Sequence, residues 1–458
     1  MKILSRLILL MVMLQVLCSS CGKTAEAAKA APVFKSSIPA HEATDVPAST
    51  AIEVVFDEVI SLAINHGVTI NDEPANVKAS FTKLMFSDEL QSNTNYTIII
   101  PKGAVINSFD VPLEEAIEIT FTTKEEYVPN TETMQFVAQM GVGWNLGNTL
   151  DTKDADETMW GNPLAQKELI DAIRAKGFKT LRVPVTWQYH MGDAPDYIIE
   201  ESWLNRVKEV VNYGLDNDMY VIVNIHHDEE WVIPAYDHLD AAKEQLAKVW
   251  TQIANHLKAY DEHLVFETLN ETRLKGSAEE WTGGTAEGRD CINQFHQVAV
   301  KAIRATGGNN SERYIMISPY AASSSEVALT GLVLPADKNL IVSVHNYFPY
   351  KFALAETDYV TSWGTDADKQ ALDAELDRLV SLFINKDIAV VMGEWGSLNH
   401  DNLTHRKVHA AYFAQGCLER GICPIWWDNG SSDYFGLIDR HTYQWVFPEI
   451  ADAIINAQ

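Results

Sequence analysis

Hydrophobic positions along this chain follow two different rhythms. Between residues 32 and 124, short runs such as AIEVVFDEVI (51–60), NYTIIIPKG (95–103) and IEITFTT (117–123) carry β-branched residues in partial alternation. Clusters of Asn, Asp, Gly and Pro separate them. This pattern predicts a small all-β sandwich of about seven short strands. Residues 125–135 are polar and read as a linker. From residue 136 to 458 the rhythm changes to a short apolar run followed by an amphipathic stretch, repeated. The runs are GVGWNLGN (141–148), TLRVPVTW (180–187), YVIVNIHHD (220–228), LVFETLNET (264–272), YIMISPYA (314–321), LIVSVHNYFP (340–349), IAVVMGEWG (388–396) and CPIWWDNG (423–430). Most are apolar throughout, as parallel strands buried on both faces are. KELIDAIRAKG (167–177) and WLNRVKEVVNYGLDN (203–217) between them have helical periodicity. Eight strand–helix units over about 320 residues predict an α/β fold, a (β/α)8 TIM barrel. The alternative, an open doubly wound sheet, usually carries a glycine-rich phosphate loop after its first strand. Here that strand ends in Gly143-Trp144-Asn145-Leu146-Gly147-Asn148, without that spacing.

The N-terminus adds a targeting segment. Lys2 and Arg6 precede an apolar run, Leu7 to Leu17, too short for a stable membrane span. Leu17-Cys18-Ser19-Ser20-Cys21-Gly22 resembles a bacterial lipobox. It predicts a signal peptide over 1–20, lipidation of Cys21 and a flexible tether over 21–31, against the alternative of an ordinary secretory signal. The expected location is therefore secreted, on an outer membrane, with membrane contact only through the lipid. Cys291, Cys417 and Cys423 then remain and form no disulfide framework. Cys417 and Cys423 are read as buried thiols, although they are able to pair.

Charge narrows the partners. The formal net charge is −28, from 63 acidic and 35 basic residues. Such a chain repels nucleic acid and anionic lipid, and no basic patch stands out. A neutral substrate fits better, and a monomer is expected. No CxxC or HExxH spacing points to a metal, and no cofactor is expected.

The barrel runs share a grammar in which each begins apolar and ends polar or aromatic. Asn145, Arg182, His226, His227, Asn270, Glu271, His345, Tyr347, Glu394 and Trp427 then fall near strand C-termini, which converge on one face of a barrel. Buried charge without partners is costly, so ten such positions together point to a site. Glu271 and Glu394 end the fourth and seventh runs, on opposing sides of the mouth. Cleavage of a glycosidic bond needs two carboxyl groups flanking it, one protonated and one ionised. Glu267 shares the parity of Glu271 but lies four residues deeper, and is read as a buried structural acid beside a cation. His226 and His227 are adjacent and are expected to leave the strand on opposite sides, so that one faces the cleft centre. Trp427 is expected to floor the sugar, its ring offering an apolar face to the CH groups of a pyranose. Trp231 and Trp363, in loops above the barrel, are expected to line outer subsites, and Asn145 to reach a distal hydroxyl.

The runs VGWNLGNTLD, WGNP, GFKTLRVPVTWQYH, VIVNIHHD, LNE, VHNYFP, GEWG and WWDNG resemble glycoside hydrolase family 5, the cellulase family of retaining (β/α)8 hydrolases, over residues 136–458 in the family's order. WNLGNTLD with WGNP and HHD is similar to the endoglucanases and xyloglucanases of subfamily 4. The opening PVFKSSIPAHEATDVPASTAIEVVFDEVI resembles bacterial Ig-like domains, read as a spacer with carbohydrate binding as the alternative. The resemblance implies that Glu271 is the acid/base and Glu394 the nucleophile. It also implies that Asn270 binds the sugar 2-OH. An acid needs a raised pKa, expected from the tryptophan-rich cleft and the charge of Glu394. Arg182 and Tyr347 are expected to favour ionised Glu394. One departure stands out: the family usually has Asn-Glu-Pro, and here Thr272 takes the place of proline.

The function expected is a retaining endo-β-1,4-glucanase acting on cellulose, mixed-linkage glucan or xyloglucan. A β-mannanase is the related alternative. A non-catalytic glycan-binding lipoprotein and a metal-dependent barrel hydrolase are the alternatives of other classes.

Overall fold

The computed structural model describes residues 30–125 and 127–458. The expected signal peptide and Cys21 lie outside the described residues. The chain divides into two compact units at residues 126 and 127.

The first unit is all-β. It contains a four-stranded, a five-stranded and a two-stranded sheet. Asn95–Ile100 and Ile117–Thr123 pair antiparallel, with Ile98 opposite Ile119. Alternation along Asn95–Ile100 sends Tyr96, Ile98 and Ile100 inward. They join Val54, Phe56, Leu84 and Phe121 in one apolar core. Strands are more numerous than expected because several span two to four residues, too short for alternation to register.

The second unit is a closed barrel of eight parallel strands. They are Gly143–Leu146, Thr180–Val183, Tyr220–Asn224, Leu264–Glu267, Ile315–Ile317, Leu340–His345, Ala389–Trp395 and Ile422–Asp428. Each lies within its predicted run or within a residue of it. The last pairs with the first, Ile425 beside Gly143 and Trp427 beside Asn145. Helices follow the strands and cover them. Lys167–Lys176, for example, buries Leu169, Ile170 and Ile173 and stops at Gly177, whose φ of 123° suits glycine.

The stretch 125–135 is not wholly a linker. A helix, Glu132–Met140, begins inside it, capped by the Thr131 side chain. Its Met134, Phe136, Val137 and Met140 are buried, and it packs on the last two barrel strands. A nine-residue helix with a polar first turn reads as loop from sequence alone. Cys291, Cys417 and Cys423 are free and buried, as expected for the last two.

Candidate active site

Charged side chains enter this barrel as one connected network. Arg182, at the end of the second strand, is fully buried. Its Nε donates to Glu267 Oε2 at 2.8 Å, Nη1 to Asn145 Oδ1 at 2.9 Å and to Glu394 Oε1 at 2.8 Å, and Nη2 to Asn270 Oδ1 at 2.7 Å. Glu267 is fully buried too, and its oxygens also accept from Asn224 and Ser343. It is the structural acid its parity predicts, with Arg182 as its cation. Four residues further on, Glu271 lies past the strand and lines a cleft of about 450 Å³.

Glu394 and Glu271 face each other across that cleft. Glu394 Oε2 accepts from the Tyr347 hydroxyl at 2.9 Å. Glu271 Oε1 meets His345 Nδ1 at 2.8 Å, and the same nitrogen is 3.5 Å from Glu394 Oε2. A carboxylate oxygen from each glutamate and a nitrogen of His345 lie within 4.8 Å of one another. So close an approach is compatible with the separation of about 5–5.5 Å in retaining glycosidases and is shorter than the roughly 6.5–9.5 Å of inverting ones.

The pKa directions reverse the expectation. Burial pushes Glu394 up, and Glu271 adds to this against the charges of His345 and Arg182. Burial pushes Glu271 up as well, but the hydrogen bond and charge of His345, helped by Arg273, outweigh it and hold the carboxyl low. His345 is itself raised, because Glu394 and Glu271 oppose its desolvation. The reason is its position between the two carboxyls, which strand parity does not reveal. Burial and the charge of Glu394 keep Tyr347 protonated, so its hydroxyl remains a donor.

Around this pair, His226, His227, Asn270 and Trp427 also line the cleft. Both histidines reach it, with ring centroids 4.5 Å apart at 83°. The strand ends at Asn224, so the alternation expected of them does not apply. The Trp427 ring lies parallel to His226, 5.9 Å away. Gly147 permits this floor: a Cβ there would stand 2.6 Å from the Trp427 ring.

His226 is held neutral. Its Nδ1 meets the Asn224 amide nitrogen at 3.1 Å and its Nε2 that of Asn270 at 3.3 Å. The Asn224 amide is fixed in this sense, since its oxygen accepts from the Val185 amide and its nitrogen also donates to Glu267, so Nδ1 accepts and the single proton of the neutral ring sits on Nε2, on the side of Asp151. Burial, with the charges of His227 and Arg182, pushes the ring well below the usual histidine range. Asp151, His226 and His227 do form a compact cluster. A metal on His226 Nε2 would, however, turn a proton on Nδ1 toward the Asn224 amide donor. Metal-bound imidazoles need an acceptor there.

Three expected binding residues are corrected, and Arg182, counted among the binding residues as well as beside Glu394, keeps only the second place. Asn145 is fully buried and donates to the carbonyls of Gly393, Ile425 and Trp426, so it reaches no sugar. Arg182 is sealed beneath the cleft and acts on Glu394 rather than on substrate. Trp231 packs on the barrel core and donates to Asp228 at 3.0 Å. Trp363 is 4% exposed and packs edge-on against His409. It pins its loop, and Trp363→Ala is expected to cost about 3–5 kcal/mol of stability, read by chemical denaturation.

Sequence reading missed the exposed wall of the cleft. Trp281 is 59% exposed and lines it, with the Arg273 guanidinium 4.2 Å from its ring. Its signal was a tryptophan beside Gly283-Gly284 in a long loop following the fourth strand. A second cavity of about 550 Å³ is lined by Trp160, Asn162 and Tyr434. Trp160 meets His227 edge-on at 5.9 Å, so the two cavities adjoin. Trp160 and Asn162 stood in the WGNP run without a role.

Comparison with known proteins agrees with this geometry. Residues 140–433 match the family model described as cellulase (glycosyl hydrolase family 5), and residues 28–123 that of a bacterial Ig-like domain. The chain is 48% identical over 329 residues to cellulase/esterase CelE of Acetivibrio thermocellus, covering 70% of this chain but 40% of that protein. It is 45% identical to endoglucanase B of Clostridium cellulovorans, covering 74% of this chain and 79% of the other. The solved structure of ZgEngAGH5_4 with cellotriose superposes with a TM-score of 0.70 at 58% identity, covering 71% of this chain and 98% of that one.

Proposed function

We propose, for a chain that belongs to glycosyl hydrolase family 5, that it is a retaining endo-β-1,4-glucanase working by double displacement. The observation that carries this is the short separation of two carboxyls whose surroundings differ.

Glu394 is the nucleophile. Oε1 is turned to buried Arg182, so Oε2, beside Tyr347 and His345, is the oxygen assigned to attack the anomeric carbon. Arg182 and the Tyr347 hydroxyl stabilise its negative charge. Glu271 is the acid/base. His345 Nδ1 donates to its Oε1, which leaves Oε2 to carry the proton for the departing sugar oxygen. His345 Nε2 is buried without a hydrogen-bond partner among the described residues. An imidazolium there holds an unsatisfied donor, a cost that rises as sugar displaces water. Substrate binding therefore favours neutral His345 with its proton on Nδ1, which removes the imidazolium charge from Glu271 while the Nδ1 hydrogen bond remains, and so eases the hold on that carboxyl. As Glu394 becomes the glycosyl ester its charge is lost, the Glu271 pKa falls, and Glu271 acts as base toward water.

Trp427 floors the reacting sugar and Asn270 meets its 2-OH. Trp281, on the loop that follows Glu271, stacks the leaving-group side. An open groove bordered by a second cavity suits chain-internal cleavage of a polymer.

The product profile on soluble β-glucan, xyloglucan and mannan tests this. Oligosaccharides released early from β-1,4-glucan, with the β-anomer first, are expected. Preferential cleavage of mannan would turn the reading to a mannanase, and loss of activity in chelator to a metal-dependent hydrolase. We further propose that Cys21 carries a lipid anchor, on the strength of the lipobox-like sequence. Labelling of the full chain by fatty acid, abolished by Cys21→Ser, is the corresponding measurement.

A further inference from the structure

We propose that Glu229 is a positioning residue for the acid/base: a nearly buried carboxylate that, through Arg273, steadies the backbone of Glu271 where Thr272 stands in place of proline. The proposal rests on the double-displacement reading above.

Glu229 follows the two cleft histidines, and its side chain is 11% exposed. It gathers basic side chains from three loops at the barrel mouth. Oε2 lies 2.9 Å from Lys275 Nζ and 3.4 Å from Lys153 Nζ. Oε1 lies 3.4 Å from His227 Nδ1 and 3.7 Å from Arg273 Nη1. Burial pushes this carboxyl up, yet His227, Lys275 and Lys153 together hold it well below the usual range, so it is ionised. The two lysines are 38% and 46% exposed, and such pairs are individually weak. Arg273, at 12%, is the least exposed of these basic groups; it meets Glu229 at 3.7 Å without a hydrogen bond, while Glu280 is its hydrogen-bonded counter-ion.

Arg273 acts as a splint. Its Nη1 donates to the carbonyl of Glu271 at 3.0 Å. Its Nε donates to Glu280 at 3.0 Å, and its plane covers Trp281. One guanidinium thus grips the acid's own peptide and the wall of the cleft. Proline after Glu271 would fix its own φ and keep Glu271 out of the helical region. Thr272 does neither. Its carbonyl accepts from the Ala321 amide at 3.0 Å, and its own amide donates no hydrogen bond among the described residues. A ring at 272 therefore breaks no bond, and proline is a fair substitute for the splint.

Misplacing the acid slows only the step that needs a proton. A general loosening of the cleft slows every substrate alike. The test measures kcat/KM of the full chain on cellotetraose, whose leaving group needs protonation, and on an aryl cellobioside with an acidic phenol, which does not. Glu229→Gln is expected to lose roughly tenfold on cellotetraose and to stay within about twofold on the aryl substrate. Thr272→Pro added to Glu229→Gln is expected to recover most of the loss. Where Glu229→Gln folds poorly, Glu229→Asp, whose shorter side chain retreats from Arg273, is expected to show the same split in smaller measure. No loss on cellotetraose, equal losses on both substrates, or no recovery with proline overturns the proposal. A folded wild-type chain that cleaves neither substrate would instead sink the parent reading.

Discussion

Glu394→Ala is expected to lower turnover of β-glucan by roughly 10⁵-fold or more, as removal of an attacking nucleophile does elsewhere. The chain should still fold. Arg182 keeps Glu267, Asn145 and Asn270 as partners, so its charge is not stranded. The alanine leaves a space on one face of the sugar, while Glu271 remains on the other. Azide entering that space attacks the anomeric carbon directly and stops there. An aryl cellobioside is therefore expected to give α-cellobiosyl azide, inverted at the anomeric carbon, with partial recovery of rate. Anomer-resolved NMR of the product reads this. Recovery with the β-azide would mean that the space opens on the leaving-group side, and the roles of the two glutamates would be exchanged. Full activity without azide would remove Glu394 from the mechanism.

Much of this arrangement was legible because burial is written into composition. Runs such as Ala389–Trp395 and Ile422–Asp428 are almost wholly buried, and parallel strands covered on both faces have no polar side to show. Glu271 and Glu394 stood out against that apolar background. Glu267 was also readable as internal, since strand parity and depth hold within a strand. What escaped lies beyond the last paired residue. His226 and His227 follow Asn224 into a loop, where alternation no longer governs direction. His345 was placed near the mouth, but its seat between two carboxyls depends on three strands at once. That contact sets the charge balance of the pair. Asn145 was located correctly and misread in role, whereas Arg182 meets Glu394 as expected and was misread only as a substrate contact. Depth along a strand cannot say whether a polar group faces the cleft or three carbonyls beneath it. Trp281 and Trp363 illustrate the same limit in loops. Both are tryptophans between polar neighbours, yet one lies open in the cleft and the other under His409.

Glu271 and Glu267 lie on one strand and its extension, and their substitution separates chemistry from support. Glu271→Ala is expected to cost about 10²–10⁴-fold on β-glucan, the usual range for a general acid. It should keep most of its kcat/KM on an aryl cellobioside whose phenol leaves unaided. Deglycosylation also loses its base, so glycosyl-enzyme should accumulate and azide should speed its breakdown, here with retention. Stability should change little, because Glu271 borders the cleft and His345 keeps Glu394 as a neighbour. Glu267→Gln removes a charge that meets Arg182, Asn224 and Ser343 in full burial. Removing one carboxylate of this buried network costs up to the roughly 3–5 kcal/mol of a fully broken pair, and less to the extent that Glu394 still compensates Arg182. Released Arg182 then leans on Glu394 and shifts Asn270. Both substrates should slow together, with a lower denaturation midpoint. The leaving-group dependence therefore belongs to one residue and the stability loss to the other. A stable Glu267→Gln protein with a selective defect on poor leaving groups would move the acid to Glu267. That would require a proton to pass from a residue walled off by Arg182, which the packing does not allow.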